Sequence, residues 1–370
     1  MSFNFGFDVD EDIAGDDIGG SLLSSSIKAA QEARSQASAA TPPGRRYTLT
    51  EMLDTLPDRI SYSTISIPQL DPQGNSNSSP TTSPLQLPRR DLFDARFQIL
   101  SEDVDETSTG SVQVNSESDL VPGVYEGGLK TWECSLDLVG ILTKYESHGH
   151  HDRVVELGCG TALPTVYYLL RLLLQDEDEK GGTKPIQLHL CDFNETVLNL
   201  VTLPNLLLAY AFAQAVKEQK PFATTGDVDL TREFLDEFQT ALSKWSIGIY
   251  FHSGPWEKLS VAGDDSSEAR KPTAKTLVLT SETTYSLSGI ECLLDVIKSL
   301  TKEGESGVEV TSLIATKEYY FGLGGGVVAF LNALEEDAVK DGGVKWSQVN
   351  TLCQWEKGVR RRVMSVDSRQ

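Results

Sequence analysis

A short strand, a turn with two glycines and an apolar helix follow one another between residues 153 and 174, and this succession limits the folds open to the chain. Residues 154–157, apolar except for Glu156, form a run of strand length, and Leu163–Leu174 form an apolar run of helical length. Gly158 and Gly160 lie between them, where a backbone without Cβ atoms can turn tightly and approach a ligand. The arrangement gathers backbone N–H groups and the positive end of a helix at one point. It predicts a cofactor-binding turn at the end of a buried strand.

The residues around the two glycines separate the cofactor classes that bind at such turns. A dinucleotide fingerprint has a third glycine, G-x-G-x-x-G, where this chain has Leu163 followed by Pro164. Glu156 precedes the turn, which gives Glu-x-Gly-x-Gly. This pattern resembles motif I of the seven-β-strand S-adenosylmethionine-dependent methyltransferases, and the resemblance implies S-adenosylmethionine as cofactor. A glycine turn without a ligand is the alternative, which the complete strand–turn–helix context disfavours.

Segments of strand and helix character alternate along the rest of the chain. This alternation predicts an α/β fold with a Rossmann-like, seven-stranded, mostly parallel sheet that carries helices on both faces. Two apolar runs, 344–349 and 359–366, predict a terminal antiparallel hairpin. The other predicted strands are 186–192, 246–252, 276–280 and 308–316, and the main predicted helices are 197–216 and 289–300.

Composition divides the chain into three predicted regions. Residues 1–45 are acidic and rich in Ser, Ala and Gly, which predicts a disordered N-terminus. Residues 46–118 form a predicted N-terminal extension with polar linkers. In it, Thr48 and Glu51 predict a capped short helix that Pro57 ends. Residues 119–370 hold the glycine turn and the alternating strands, and form the predicted methyltransferase domain.

Cysteine and histidine usage argues against a metal site. The five cysteines are far apart and form no Cys-x-x-Cys, which opposes both a zinc site and a disulfide framework and favours buried thiols. His148, His150 and His151 form a cluster beside a glycine, which predicts an exposed loop. No metal is therefore expected.

Charge and hydropathy restrict the location and the partners. Arg171 interrupts the best apolar run, so no membrane span is expected, and the N-terminus lacks the basic start and apolar core of a secretory signal. The protein is therefore expected to be intracellular, in the cytoplasm and the nucleus. The net charge of −22 disfavours nucleic-acid binding and fits a basic polypeptide partner, although solubility alone also explains it.

Residues with the chemistry for S-adenosylmethionine cluster where the predicted strands end. Asp192 can accept both ribose hydroxyl hydrogens, although an Asp at this point can also cap a helix. Trp256 is expected to flank the adenine, with a core role as the alternative. The two glycines admit the amino-acid end, and Glu156 receives its ammonium. Trp132 is expected to cover the cofactor, and Ser281 completes the predicted cofactor set.

Glu282 and Tyr285 are the predicted catalytic residues. Methyl transfer is an in-line displacement, so most of its catalysis is positioning. An imidazole has a pKa of ~6.5 and is mostly neutral at pH 7, so it needs only the correct tautomer in order to attack. Glu282 can hold the other ring N–H, as Asp does for a catalytic His, while Tyr285 orients the ring. The alternative for Glu282 is a solvated loop side chain.

Four segments carry a more specific resemblance: 127–133, 155–164, 281–285 and 317–326. They resemble the protein-histidine N-methyltransferases of eukaryotes, and the N-terminus together with 87–94 resembles the fungal members. The resemblance implies an enzyme that methylates a histidine ring nitrogen in large-subunit ribosomal protein three, with a role in ribosome biogenesis and translation. A monomer is expected. Lysine-modifying members of the wider group carry Asp-x-x-Tyr where this chain has Glu282-Thr-Thr-Tyr285.

Three other functions remain open at this point. A lysine methyltransferase of the same group would put the methyl on a different amino acid. A ribosome-assembly factor that keeps the fold without turnover would lose nothing when Glu282 or Asp192 is removed. A nicotinamide oxidoreductase is opposed by Leu163 in place of the third glycine.

Overall fold

The computed structural model describes residues 44–68, 84–102, 127–144, 151–175, 185–259, 261, 275–303, 309–340 and 343–370. Its strands, numbered in chain order, are β1 (Arg45–Thr48), β2 (Arg59–Ser66), β3 (Gln86–Arg90), β4 (Arg153–Leu157), β5 (Ile186–Asp192), β6 (Thr225–Asp229), β7 (Ile247–Ser253), β8 (Lys275–Ser281), β9 (Glu309–Lys317), β10 (Lys345–Trp346), β11 (Asn350–Trp355) and β12 (Arg361–Arg369).

The helices lie mainly between these strands. They are α1 (Leu49–Leu53), α2 (Leu92–Glu102), α3 (Glu133–Leu142), α4 (Leu163–Leu174), α5 (Leu203–Lys217), α6 (Arg232–Lys244), α7 (Leu287–Lys302) and α8 (Val327–Val339). A short helix, Glu195–Val197, and a π turn, Leu198–Thr202, run directly into α5.

A large sheet with the order β1-β7-β5-β4-β8-β9-β12 organises the described part of the chain, and β10 and β11 both pair with β12. The five strands from β7 to β9 are parallel, whereas β1 and β12 add to them antiparallel. The chain leaves β4 toward β5 and β7, and then returns to β8 on the other side of β4. Ligands of open α/β sheets bind at such a reversal, beyond the carboxyl ends of the strands.

Helices cover both faces of this sheet because successive strand residues point to opposite sides. Val154 packs in the cluster formed with α3, α4 and α5, while Val155 packs in the cluster formed with α7 and α8. Both side chains are almost completely buried, so β4 lies in the middle of the core. The turn that follows β4 is thereby held from both faces.

The predicted α/β architecture with a mostly parallel sheet is confirmed, and the sheet has nine strands in the described residues where seven were predicted. The terminal hairpin was predicted from 344–349, but it forms between β11 and β12, since only two residues of the earlier run pair with β12. A second, antiparallel sheet with the order β3-β2-β6 was not predicted. The capped helix was correct: Thr48 and Glu51 form a capping box at the start of α1.

The predictions for histidines, cysteines and apolar segments had different outcomes. His151 was placed in an exposed loop and is buried, because it directly precedes the buried strand β4. His148, His150, residues 1–43 and the boundary at 118–119 lie outside the described residues. Four of the five cysteines are buried, as expected. One helical segment, Glu195–Lys217, has the length and hydropathy of a membrane span, and 78% of its most apolar window is buried within the protein.

Candidate active site

The glycine turn after β4 is built for close approach of two neighbouring loops. Gly158 and Gly160 have φ angles of +63° and +50°, which L side chains rarely adopt. A Cβ atom on Gly158 would lie 2.5 Å from Cγ2 of Thr283, and one on Gly160 would lie 3.1 Å from Cα of Gly128. The turn is thus packed between the loop after β8 and the segment before α3, with no room for side chains at either glycine.

Asp192 ends β5 beside this turn and is buried. Its Oδ2 accepts a hydrogen bond of 2.9 Å from the backbone N–H of Gly160, and its Oδ1 accepts one of 3.1 Å from the N–H of Asn194. A carboxylate oxygen can accept more than one hydrogen bond. The geometry orients an anionic acceptor at the glycine turn, and the ribose role of Asp192 stays a prediction.

Glu156 is directed toward the first turn of α4. Its Oε2 accepts hydrogen bonds from the backbone N–H of Thr165, at 2.9 Å, and from the Thr165 hydroxyl. Burial raises the pKa of this carboxyl to about 8, with Asp192 adding to the effect against the opposing Thr165 hydrogen bonds. Glu156 therefore links β4 to α4, and its predicted contact with the ammonium of the cofactor remains untested.

The remaining predicted cofactor residues lie at two separate places. Trp256 follows β7, and its Cζ2 lies 3.8 Å from the position that a Cβ of Gly158 would take. Ser281 ends β8 and pairs with Ala315 of β9. Trp132 precedes α3, and the Lys317 ammonium lies 4.9 Å from its ring centroid. Trp256 thus joins the glycine turn, while Trp132 belongs with the residues beyond β8 and β9.

Glu282, the first residue after β8, is held in an unusual conformation. Its φ angle is +59°, a left-handed conformation that is uncommon for a residue other than glycine. The side chain is only 8% exposed. Its Oε2 accepts a 2.6 Å hydrogen bond from the Tyr320 hydroxyl and lies 3.3 Å from the ammonium of Lys317. One carboxylate oxygen is therefore fixed by two donors.

The second oxygen of Glu282, Oε1, is buried and has no hydrogen-bond partner of normal geometry among the described residues. The thiol of Cys134 lies beside the carboxylate, where burial and Glu282 raise its pKa well above its usual range. A neutral thiol is only a weak donor. A buried acceptor without a partner costs roughly 1–3 kcal/mol, and a donor that reached Oε1 would remove that cost.

Lys317 and Tyr320 complete the site and were not among the predicted site residues. Burial and the Glu282 carboxylate raise the pKa of Tyr320, so the phenol stays protonated and donates. Tyr285, the other predicted catalytic residue, has its ring centroid 6.4 Å from that of Tyr320 in an edge-to-face arrangement. Their position in the sequence could have indicated them, because Lys317 ends β9 at the same edge of the sheet as the predicted residues.

Consecutive glycines join the loop after β9 to the loop after β8. The backbone N–H of Gly325 donates to the carbonyl of Tyr285 at 3.1 Å, and that of Gly326 donates to the carbonyl of Thr284 at 2.9 Å. A Cβ on Gly325 would lie 2.1 Å from the Thr284 carbonyl oxygen. The two loops that carry Glu282 and Tyr320 are therefore locked together.

A buried ion pair supports the site from the side of α3. Nε of Arg361 donates to Oδ2 of Asp137 at 2.6 Å, and Nη1 of Arg361 donates to Glu133 at 3.0 Å. Burial raises the pKa of Asp137 to about 6 despite the Arg361 guanidinium, so the carboxylate is ionised at neutral pH. The pair fixes α3 to β12. Among the described residues, no group of three or more His, Cys, Asp or Glu side chains is placed to hold a metal ion.

No family model matches the chain. It is similar to histidine protein methyltransferase 1 of Schizosaccharomyces pombe, with 32% identity over 329 residues, 84% of each chain. The Saccharomyces cerevisiae protein of the same name is 31% identical over 266 residues, covering 67% of this chain and 68% of the relative. Among solved structures, the N-methyltransferase NodS of Bradyrhizobium japonicum has 12% identity and a TM-score of 0.33, over 63% of this chain and 94% of its own.

These relatives confirm two predictions made from the sequence. The chain is an enzyme of the methyltransferase class, and S-adenosylmethionine is its methyl donor. The identity extends over most of both chains, as a shared whole-domain fold requires. The chain belongs to the histidine protein methyltransferase 1 family.

Proposed function

We propose that this protein methylates one ring nitrogen of a histidine in large-subunit ribosomal protein three, and acts in that way in ribosome biogenesis and translation. Methylation of protein histidine follows from the family. The ribosomal substrate is the finer part of the proposal and is supported by the resemblance of the motif segments. We further propose that the enzyme works as a monomer in the cytoplasm and nucleus.

The residues at the glycine turn fit S-adenosylmethionine. The left-handed glycines form a tight turn packed against Thr283 and Gly128, and Asp192 presents an oriented carboxylate beside that turn. In the proposal, Gly158, Gly160 and Asp192 hold the amino-acid end and the ribose, while Trp256 lies next to the same turn. When bound, the cofactor supplies an electrophilic methyl group on a sulfonium.

The single observation that carries the histidine assignment is the buried Oε1 of Glu282, which has no hydrogen-bond partner of normal geometry in the described part of the chain and only the Cys134 thiol beside it. This oxygen can accept the N–H of one imidazole nitrogen, which leaves the lone pair of the other nitrogen available for attack. Attack makes the ring cationic, and the nearby carboxylate stabilises that charge before the N–H proton is lost to solvent. Tyr320 and Lys317 hold Oε2 and so keep Oε1 directed at the ring.

The same group of residues favours histidine over lysine as the modified side chain. The ammonium of Lys317 lies 3.3 Å from Oε2 of Glu282 and already balances the charge of the carboxylate. A neutral imidazole brings no charge to this pair before attack, whereas a substrate lysine, with a pKa of ~10.4, would arrive as a second cation and would have to lose a proton first.

The test is transfer of labelled methyl groups to ribosomal proteins from cells that lack the enzyme, followed by acid hydrolysis and amino-acid analysis. We expect label in methylhistidine, within ribosomal protein three after separation of the proteins. Label in methyl-lysine would contradict the histidine assignment and support the lysine methyltransferase alternative. Absence of label would favour the binding factor without turnover.

Two variants test the role of the Glu282 carboxylate. Glu282→Gln keeps the shape but loses the anionic acceptor, and we expect kcat to fall by roughly 10²-fold or more, as for loss of other positioned catalytic groups. The affinity for S-adenosylmethionine should not change. Glu335→Gln, an exposed residue of α8, is the matched control and should keep full activity. Equal activity of the two variants would refute the assignment.

A further inference from the structure

We propose that an apolar lip beside the active site, formed by Leu287, Tyr319, Phe321 and Leu323, docks the residues that flank the target histidine in a basic protein substrate. The inference rests on the proposed function and adds to it a requirement on the substrate. At least one apolar residue must lie within about three positions of the modified histidine.

The four side chains of the lip are exposed although they are large and apolar. Phe321 is 94% exposed, Leu287 59% and Tyr319 58%. Single exposed apolar residues are common, but several in one loop region mark an interaction site. None of the four belongs to the buried core of the described residues, so core packing does not explain them.

The two segments that carry the lip contact each other. A bridge between Ser286 and Gly324 places the loop after β9 against the start of α7. A Cβ on Gly324 would lie 4.0 Å from Cγ of Leu287. A turn closed by the Leu323 N–H and the Tyr320 carbonyl, at 3.2 Å, holds Phe321 at its tip.

The lip is also continuous with the catalytic residues. Tyr320 points inward and donates to Glu282, while its two neighbours in sequence, Tyr319 and Phe321, point outward to solvent. An extended peptide spans about 10 Å in three residues. A histidine whose ring reaches Glu282 therefore carries the adjacent residues of its own chain over the lip.

The charge of the whole sequence favours a basic occupant. The protein carries a net charge of −22, which attracts a basic partner over long range. Long-range attraction speeds encounter but does not select one histidine in a basic protein. Apolar contact at the lip supplies that selection, because it acts only when the residues next to the histidine match.

The first experiment measures binding and turnover separately with ribosomal protein three purified from cells that lack the enzyme. Phe321→Ser should weaken the Kd for this protein at least fivefold and raise KM in parallel. The kcat at saturation and the Kd for S-adenosylmethionine should remain as in the wild type. Val339→Ser is the matched control, since Val339 is 87% exposed but lies at the opposite end of α8 from the site, and it should change neither quantity.

The second experiment uses peptides that contain the modified histidine, with each flanking apolar residue replaced by Ser in turn. Wild-type enzyme should lose activity on at least one of these peptides, and the Phe321→Ser enzyme should lose much less on the same peptide, as coupled partners do in a double-mutant cycle. If Kd and KM were unchanged in both Phe321→Ser and Leu287→Ser while methylhistidine was still formed, docking at the lip would be refuted and the proposed function would stand. Absence of methylhistidine with wild-type enzyme would instead refute the proposed function.

Discussion

Adding one methyl group at Gly158 tests whether this position needs glycine both for its backbone conformation and for lack of space around it. Gly158→Ala places a Cβ on a residue with φ of +63°, which costs about 1–2 kcal/mol. The same atom would lie 2.5 Å from Cγ2 of Thr283, and overpacking of this kind costs about 1–3 kcal/mol. We expect the free energy of unfolding to fall by about 2–5 kcal/mol.

Two further variants separate these contributions. Gly358→Ala has a similar φ of +72° and nothing within 4 Å of the added Cβ, so it should lose only the conformational part, about 1–2 kcal/mol. Thr283→Ser removes Cγ2 but keeps the hydroxyl that bonds to Thr280. In the wild-type background it should cost about 1 kcal/mol for the lost buried methyl. In the Gly158→Ala background, relief of the overpacking offsets this cost, so the variant should raise stability by up to about 2 kcal/mol.

Urea unfolding of the four proteins and the double variant measures these values, and calorimetric titration with S-adenosylmethionine measures cofactor affinity. We expect cofactor affinity to fall in Gly158→Ala and to recover in part when Thr283→Ser is added. Gly158→Val, which adds two more carbon atoms, should abolish cofactor binding in a folded protein. The reasoning would be refuted if Thr283→Ser destabilised the wild type and Gly158→Ala equally. It would also be refuted if Gly158→Val left the affinity for S-adenosylmethionine unchanged.

Two buried pairs give the remaining predictions. Burial lowers the pKa of His252, which lies 3.0 Å from His189, to about 4, against ~6.5 when unfolded. As pH falls, the histidine is therefore protonated in the unfolded chain before it is protonated in the folded protein. The free energy of unfolding falls as pH drops from about 6.5 toward 4, by about 2 kcal/mol at pH 5. Urea unfolding at pH 7.5 and at pH 5 should show this loss, and His252→Gln should reduce it. Arg361→Met leaves Asp137 buried without its cation, so urea unfolding should show a loss of about 3 kcal/mol. A second change, Asp137→Leu, should recover most of that loss, and no recovery would contradict the ion-pair account.

The sequence predicted the parts of the site that one local motif contains. Gly158, Gly160 and Asp192 lie close together as expected, because the turn after one strand and the end of the neighbouring parallel strand lie at the same edge of the sheet. The contact between Glu282 and Tyr320 was not predicted. It joins residues 38 positions apart and depends on the parallel pairing of β8 with β9.

Strands without apolar alternation were also missed. β6 has the sequence Thr-Gly-Asp-Val-Asp, with one large apolar residue, so periodicity gives no strand signal there. It forms because β2 offers a partner, and Ser61 donates to Asp227 across the pair. Such edge strands are specified by tertiary contacts, which a single sequence does not display.

The left-handed backbone of Glu282 sets stability and turnover in opposition during directed evolution. Glycine at this position would relieve the φ of +59° and remove a buried acceptor that has no partner of normal geometry in the described chain. A library screened only for heat resistance should therefore replace Glu282 wherever a second substitution compensates for the lost partner of Tyr320 and Lys317, and such proteins would no longer transfer methyl groups. Selection for activity must continually retain a residue that the fold itself disfavours.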